Sequence, residues 1–209
     1  MELLTAKDRA EIEDAIAQVE KRTAAEIVVT RVPESDRYVD IRLLFAGWLS
    51  LASVTLAHLI WPGLQVGELL LLELMLAFAG YWAAGYPALL RRLVPKHRRE
   101  AAVERAARLS FLKHGIFRTR ERTGVLILLS ELEHKVTVLG DEGVHQLLQE
   151  AGWSKLVATI VQGIREGHAA RGICSVISEL GELLAQGVPV RPDDTNELSN
   201  RVRDDDAPA

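Results

Sequence analysis

The chain has 209 residues, of which 48% are hydrophobic, and its formal net charge is −4 at pH 7. A net negative chain without basic residues interleaved with aromatic ones is not typical of nucleic-acid-binding proteins, so we expect no nucleic-acid partner. The one cysteine excludes an intramolecular disulfide and a zinc site made of several cysteines. The composition therefore indicates a chain that is partly globular and partly suited to a membrane.

Residues 1–40 predict the first helix and strand of a soluble domain. A helix is expected over about 6–22, because Thr5 and Asp8 have the spacing of a capping box and apolar residues recur at helical intervals. The β-branched run over 26–32 predicts a strand that ends at Pro33. A nearly continuous apolar strand that follows a helix favours a sheet covered on both faces.

Residues 41–92 predict a transmembrane helical hairpin. Residues 43–67 contain no formal charge, and residues 69–90 contain only Glu73. As a helix, either run is long enough to cross a hydrocarbon core of about 30 Å. Pro62 and Gly63 form a break, so the two spans are expected at about 43–61 and 69–90.

The positions of lysine and arginine predict how the hairpin is oriented. These residues precede the first span and follow the second, and none lies within 61–67. Because basic residues at span ends favour the cytoplasmic side, both termini are expected in the cytoplasm. The start of the chain does not resemble a cleaved secretory signal. The sequence thus predicts a multi-pass protein of the cell inner (plasma) membrane, with membrane lipid as one partner.

Residues 93–187 predict the remainder of the soluble domain. A helix is expected over 98–113, and two strands over 124–130 and 135–139 are expected to pair as a hairpin. Helical periodicity then continues to Gly187. Residues 188–209 lose this periodicity, gain prolines and end in an aspartate cluster, which predicts a disordered acidic tail.

Three segments occur in a recognisable order: TAAEIVVTRVP, then RTGVLILLSELEHKVTVLGDEGV, then GWSKLVATIVQGIREGHAARGICSVISELGELLA. In this order they resemble the TPM domain family, which includes thylakoid-lumen phosphatase-like and photosystem-repair proteins and many bacterial membrane proteins. The resemblance covers about residues 5–186 and is interrupted by the hairpin. It implies a Rossmann-like α/β sandwich with a small central sheet, to which this chain adds an inserted two-helix transmembrane hairpin.

The resemblance also implies a metal-dependent activity near the glycine that opens the long strand. Many family members have an acidic residue and an asparagine before this glycine, whereas here Arg122 and Thr123 precede Gly124. An arginine cannot ligate a cation. Asp141 and Glu142, at a strand-to-helix junction, are the remaining candidates for a calcium or magnesium site. The alternative is that they cap the following helix, and no cofactor is otherwise expected.

Two further groups of residues are candidate sites. His58, Glu68 and Glu73 are ionisable residues of the hairpin, where such groups are often functional, although they could instead meet water at the outer interface. A second group, made of Arg118, Arg120 and Arg122, could contact phosphate or anionic lipid headgroups.

No nucleophile elbow, P-loop, dinucleotide fingerprint or zinc-protease motif occurs in the sequence. We therefore predict a membrane-anchored, cytoplasmic-facing interaction or assembly module with an unidentified protein partner. The sequence identifies no catalytic residues, and the lack of these motifs and of an acidic residue before Gly124 favours a protein that is not an enzyme. A metal-dependent phosphatase, implied by the resemblance, is one alternative. A small oligomeric channel or transporter subunit that uses His58 and Glu73 is the other, and homo-oligomers remain open.

Overall fold

The computed structural model describes residues 3–148, 150–190 and 196–207. The chain divides into two compact units, one formed by Met1–Asp36 with Glu100–Ala209 and the other by Arg37–Arg99. The first unit contains a β-sheet and is interrupted in sequence by the second, which is helical.

The elements are α1 (Ala6–Glu20), β1 (Ile27–Val32), α2 (Val39–Ile60), α3 (Val66–Ala84), α4 (Pro87–Leu93), α5 (Lys96–Lys113), a 3₁₀ turn (Ile116–Arg118), β2 (Val125–Ser130), β3 (Lys135–Gly140), α6 (Glu142–His145), α7 (Glu150–Arg165), α8 (Ala169–Gly187) and β4 (Arg203–Asp204). The predicted α/β class is confirmed. The predicted capping box of α1 is also present, with the Thr5 side chain accepting from the Asp8 backbone amide.

The strands of the described residues form one four-stranded sheet in the order β3-β2-β1-β4. The two central strands, β1 and β2, are parallel, and Ile27 lies opposite Val125. β2 and β3 form the antiparallel hairpin that the sequence predicts. Because β1 and β2 are parallel, the residues that follow both strands meet at one edge of the sheet.

Both faces of the central strands are buried. Ile27 and Val29 of β1 pack with α1, α7 and α8, whereas Val28 and Val32 pack with α5. Side chains alternate between the faces of a strand, so a strand covered on both sides is apolar at nearly every position. The predicted small central sheet between helical layers is therefore confirmed.

Glycines allow α8 to approach its neighbours closely. A Cβ at Gly163 of α7 would lie 2.9 Å from the Cα of Gly172 of α8. A Cβ at Gly181 would lie 2.7 Å from the side chain of Val19 on α1. The backbones of α7 and α8 are therefore in contact where Gly163 meets Gly172.

The second unit contains the two apolar helices α2 and α3, which pack against each other. A Cβ at Gly80 would lie 3.1 Å from the Cα of Ala46, and the Ser50 hydroxyl donates to the Glu73 carbonyl at 3.0 Å. The predicted second span over 69–90 is corrected, because α3 runs from Val66 to Ala84. Pro87 starts a new helix and forces the preceding Tyr86 into extended backbone.

The C-terminal strap, residues 196–207, corrects the prediction of a disordered tail over 188–209. Within the strap, β4 pairs with β1, and Val202 and Asp205 are buried. The prediction failed because the polar residues of the strap have partners far away in sequence. Residues 191–195 and 208–209 lie outside the described residues.

Candidate functional site

The Arg122 loop, residues 119–124, is fixed against the start of α6. Within the loop, the Arg122 amide donates to the Thr119 carbonyl at 3.0 Å. The Gly143 amide of α6 donates to the Arg122 carbonyl at 2.9 Å. A Cβ at Gly143 would lie 2.9 Å from the carbonyl oxygens of Glu121 and Arg122, so a glycine is needed for this approach.

The Arg122 guanidinium makes a two-bond ion pair with Asp141. Nε lies 2.9 Å from Oδ2, and Nη2 lies 3.0 Å from Oδ1. The hydrogen bonds to Asp141, and then its charge, raise the pKa of Arg122 above its ordinary value. The Asp141 side chain is 6% exposed and that of Arg122 is 56% exposed. A buried carboxylate is therefore covered by a guanidinium that faces solvent.

Asp141 also caps α6, the alternative role that its sequence position suggests. Its Oδ1 accepts from the Glu142 amide at 2.8 Å, and its own amide donates to the Gly124 carbonyl at 2.9 Å. Glu142 itself is exposed in the first turn of α6. Both carboxylate oxygens of Asp141 thus have partners within the protein.

This arrangement does not fit the divalent cation that the resemblance implies. Calcium and magnesium require several oxygen ligands, and a guanidinium already engages both oxygens of Asp141. In the part of the chain that the structure describes, no group of three or more acidic, histidine or cysteine residues could hold a metal ion. A site at Asp141 and Glu142 stays a prediction and would require Arg122 to move away.

A second polar cluster lies where the parallel strands end. Glu133, which is 1% exposed, accepts from the Ser35 amide at 3.1 Å and from the Ser130 hydroxyl. The two serine hydroxyls lie 2.9 Å apart. Sequence reasoning missed the two serines, although Ser35 follows β1 and Ser130 ends β2. Every member of this cluster has a partner, so it joins the β1 and β2 ends as a structural contact.

An ion-pair network lies beside that cluster. Arg31 of β1 donates to Glu131 at 2.8 Å and to Asp204 of β4 at 2.9 Å. These contacts raise the pKa of Arg31 above its ordinary value, the hydrogen bond to Glu131 contributing most. Sequence reasoning missed this network, because Arg31 lies 100 and 173 residues from its two partners in the sequence.

The three arginines predicted to contact lipid or phosphate are all exposed. The Arg118 guanidinium lies 5.4 Å from the centre of the Phe117 ring, and the Arg120 amide donates to Glu197. Arg122 is held by Asp141. Binding of these arginines to anionic headgroups stays a prediction.

The predicted intramembrane residues His58, Glu68 and Glu73 all have exposed side chains. Glu68 accepts from the Gln65 amide at 2.8 Å and so caps α3. Among the described residues, no hydrogen bond or ion pair joins His58 to Glu73. A site formed by these residues stays a prediction.

Cys174 has the properties of a structural thiol, as its apolar neighbours in the sequence indicate. Its side chain is partly buried, and its Sγ lies 3.7 Å from the Glu11 carbonyl oxygen. Burial, followed by the charges of Glu11 and Asp8, raises the pKa of Cys174 to about 11. The thiolate needed for a nucleophile is therefore disfavoured at neutral pH.

The fold and the site define an α/β protein with a small sheet between helical layers and an inserted hairpin of two apolar helices. The family model for the TPM domain matches residues 91–183, so the chain contains a TPM domain and the resemblance is confirmed.

Among curated proteins, none matches this chain. Among solved structures, the chain is similar to the NMR structure of the BA42 protein from the psychrophilic bacterium Bizionia argentinensis, with a TM-score of 0.61 and 20% sequence identity. That match covers 98% of this chain and 97% of the BA42 chain. At this identity the similarity concerns the fold.

Proposed function

We propose that this TPM-domain protein is anchored in the cell inner (plasma) membrane and acts there as a non-catalytic interaction or assembly module facing the cytoplasm. The observation that carries the non-catalytic assignment is the ion pair between Arg122 and Asp141. It places a positive charge on Asp141, the buried carboxylate beside the loop where a metal-dependent activity would be organised.

The exposed surface of α2 and α3 supports membrane anchoring. These helices have 22 and 19 residues with mean hydropathies of 1.8 and 1.5, and only 17% and 6% of their apolar windows is buried. Their lengths correspond to about 33 Å and about 28 Å, close to the thickness of a hydrocarbon core. Their exposed side chains include Leu43, Leu44, Trp48, Leu51, Leu56, Leu70, Leu71, Leu74, Met75, Phe78 and Trp82. A lipid bilayer would shield this apolar surface from water.

Membrane fractionation tests the anchor. We expect the full chain to stay in the membrane pellet after an alkaline carbonate wash and to be released by detergent. A matched variant, Leu71→Arg with Met75→Arg, places two charges on the exposed face of α3 and should reduce insertion. Recovery of the unaltered chain in the soluble fraction without detergent would show that the anchor is wrong.

Thiol labelling of intact cells tests the orientation. Gly63 lies in the turn between the two helices and has no atom within 4 Å of a Cβ built there, so Gly63→Cys can be accommodated. In a Cys174→Ser background, this cysteine should react with an impermeant reagent from outside. A cysteine at the exposed position Asp206 should react only after permeabilisation. The reverse pattern would contradict the proposed orientation.

A metal-dependent phosphatase is the alternative that the family resemblance supports. We expect the unaltered protein to show neither phosphatase turnover nor stabilisation by calcium or magnesium. If the protein shows both, and Asp141→Asn with Glu142→Gln abolishes both, the phosphatase is favoured over the non-catalytic interaction module.

A gain-of-function variant makes this test sharper. Arg122→Asp with Thr123→Asn restores the acidic residue and asparagine that many family members have. The backbone suits this change, because Arg122 has φ = +57° and aspartate tolerates left-handed backbone better than most residues. We expect this variant to gain stabilisation by calcium, since Asp141 is then released.

Crosslinking in native membranes tests the interaction module. We expect mass spectrometry to find one companion protein reproducibly crosslinked to the first unit. Crosslinks confined to the hairpin, or found only between copies of this chain, would count against it.

A further inference from the structure

We propose that the β1 edge of the sheet, flanked by α1 and α5, is a peptide-binding groove for an extended protein segment with two consecutive acidic residues. The C-terminal strap occupies this groove as a displaceable ligand of the same chain. The inference deepens the proposed interaction module and rests on it, because it names the surface and the chemistry of the partner.

The groove binds the end of the strap by adding a strand to the sheet. Residues Arg203 and Asp204 form β4, which runs parallel to β1 opposite Thr30 and Arg31. The Asp205 amide continues this pairing by donating to the Arg31 carbonyl at 2.9 Å. Strand addition of this kind uses backbone atoms and is therefore open to segments of different sequence.

Carboxylates of the groove receive the backbone amides farther upstream in the strap. The Glu26 carboxylate accepts from the amides of Glu197 and Leu198, at 2.9 and 3.3 Å. Glu13 of α1 accepts from the Val202 amide at 3.0 Å. These acceptors extend backbone recognition beyond the two residues of β4.

Cations of the groove select the first acidic residue. Asp204 accepts two hydrogen bonds from Arg9 of α1, at 2.9 and 3.1 Å, and one from Arg31 at 2.9 Å. Its pKa lies below the ordinary value, chiefly because of the hydrogen bond from Arg9. Two guanidinium groups on different elements thus converge on a single carboxylate.

The second acidic residue enters a buried polar pocket at the end of α5. Asp205 is 5% exposed and accepts from the Ser110 hydroxyl at 2.7 Å, from His114 at 2.9 Å and from Lys113. Burial alone would raise the pKa of Asp205. The hydrogen bonds from Lys113, Ser110 and His114 outweigh burial, so this pKa lies below its ordinary value.

The strap is held mainly by polar contacts, so a segment of the same chemistry can replace it. Val202 is its buried apolar residue, and Leu198 packs partly against the core. Asp206, directly after the two bound aspartates, is exposed and supplies a matched control position. Because the strap is tethered, a competing segment faces an effective concentration on the order of millimolar.

The experiment uses the full chain in detergent and a fluorescent peptide of residues 196–207, NELSNRVRDDDA. The full-chain variant Asp204→Asn with Asp205→Asn weakens the tethered strap and leaves the groove intact. We expect the peptide to bind this variant at least about tenfold more tightly than the unaltered chain, in which the strap competes. Fluorescence anisotropy measures both affinities, and circular dichroism checks that both proteins are folded.

Matched peptides and groove variants give further expected results. A peptide with Asp206→Asn should bind as the natural peptide does, whereas a peptide with Asp204→Asn and Asp205→Asn should not bind. Adding Arg9→Gln and Lys113→Gln to the weakened-strap variant should abolish binding. Hydrogen exchange of the unaltered chain, which needs no variant, should be faster at 203–205 than in β2, because a displaceable strap opens locally.

Four results would overturn the proposal. The first is that a scrambled peptide of the same charge binds equally well, and the second is that the natural peptide does not bind a folded weakened-strap variant. The third is that hydrogen exchange at 203–205 is as slow as in β2. The fourth is that the peptide only dissociates a dimer of this chain. The last would mean that a second copy, and not the same chain, supplies the strap. If the peptide fails but crosslinking still finds a companion protein, the groove is wrong and the interaction module stands.

Discussion

Arg122 and Asp141 are 19 residues apart in sequence and meet because two backbone segments are held together by Gly124 and Gly143. The Arg122 loop is fixed to α6 through backbone hydrogen bonds, and the ion pair closes over that contact. At the scale of single residues, this pair decides which chemistry the loop can support. A carboxylate that caps a helix and binds a guanidinium would bind a metal only if the guanidinium moved away.

Substitution of Asp141 separates its two roles. Asp141→Asn keeps an oxygen that can cap α6 but loses the ionic contact with Arg122, whereas Asp141→Ala loses both. We expect the alanine variant to lose about 1 kcal/mol more of the free energy of unfolding than the asparagine variant, the usual cost of a lost cap. Chemical denaturation in detergent measures the difference, and equal losses would show that Asp141 does not act as a cap.

Glu20 predicts a pH dependence of stability. Burial, and then the charge of Glu26, raises the pKa of Glu20 to about 7, from 4.5 in the absence of these effects. Between these values the folded chain retains a proton that the unfolded chain has lost, so the free energy of unfolding falls as pH rises. Glu20→Gln keeps an oxygen for Asn200, which donates at 2.6 Å, and should remove this fall.

Denaturation midpoints at about pH 5 and about pH 8 test this prediction, because these two pH values bracket most of the range over which the folded and unfolded chains differ in the protonation of Glu20. The exposed Glu182→Gln is the matched control and should leave the pH dependence unchanged. The same fall in stability in the Glu20→Gln variant would mean that another group is responsible.

At the scale of elements, α8 is placed by backbone contact with α7 and by Gly181 against α1. The Cβ of an alanine at Gly163 would meet the Cα of Gly172 at 2.9 Å and its nitrogen at 3.1 Å. Backbone atoms cannot move aside as side chains can, so one methyl group has to separate two helices that both cover the sheet.

Gly163→Ala should therefore destabilise the first unit although alanine favours helices. Overpacking costs about 1–3 kcal/mol, and the gain in helix propensity is about 1 kcal/mol. We expect a net loss of about 1 kcal/mol in the free energy of unfolding, measured by denaturation. The control is Ser154→Ala at an exposed position of the same helix, which should not destabilise the protein. A more stable Gly163→Ala variant would show that the two helices can separate easily.

At the scale of the whole molecule, the helical unit interrupts the sequence of the first unit, and the described residues of the core clusters around the sheet all belong to the first unit. Asp36 and Arg105 of the first unit form an ion pair at 3.0 Å, so the two cut ends of this unit lie near each other. Replacement of residues 37–99 by a short glycine-serine linker should therefore give a soluble protein that folds cooperatively. Size-exclusion chromatography and circular dichroism test this, and aggregation without a cooperative transition would contradict it.

The sequence by itself determined the elements whose causes are local. The β-branched run over 26–32 predicts β1, the apolar run over 124–130 predicts β2, and the Thr5–Asp8 spacing predicts the cap of α1. The uncharged runs predict two apolar helices. The break at Tyr86 and Pro87 is also encoded locally, although the predicted span ran through it.

Only the tertiary structure decided which polar side chains meet. Arg122 reaches Asp141 across a hairpin, and the strap reaches Arg9 across 195 residues of sequence. Hydrophobic periodicity specifies which face of an element is buried, whereas an ion pair depends on where two separately folded segments are brought together. For that reason the sequence alone did not show that Arg122 pairs with Asp141. It also made the strap look like a disordered tail.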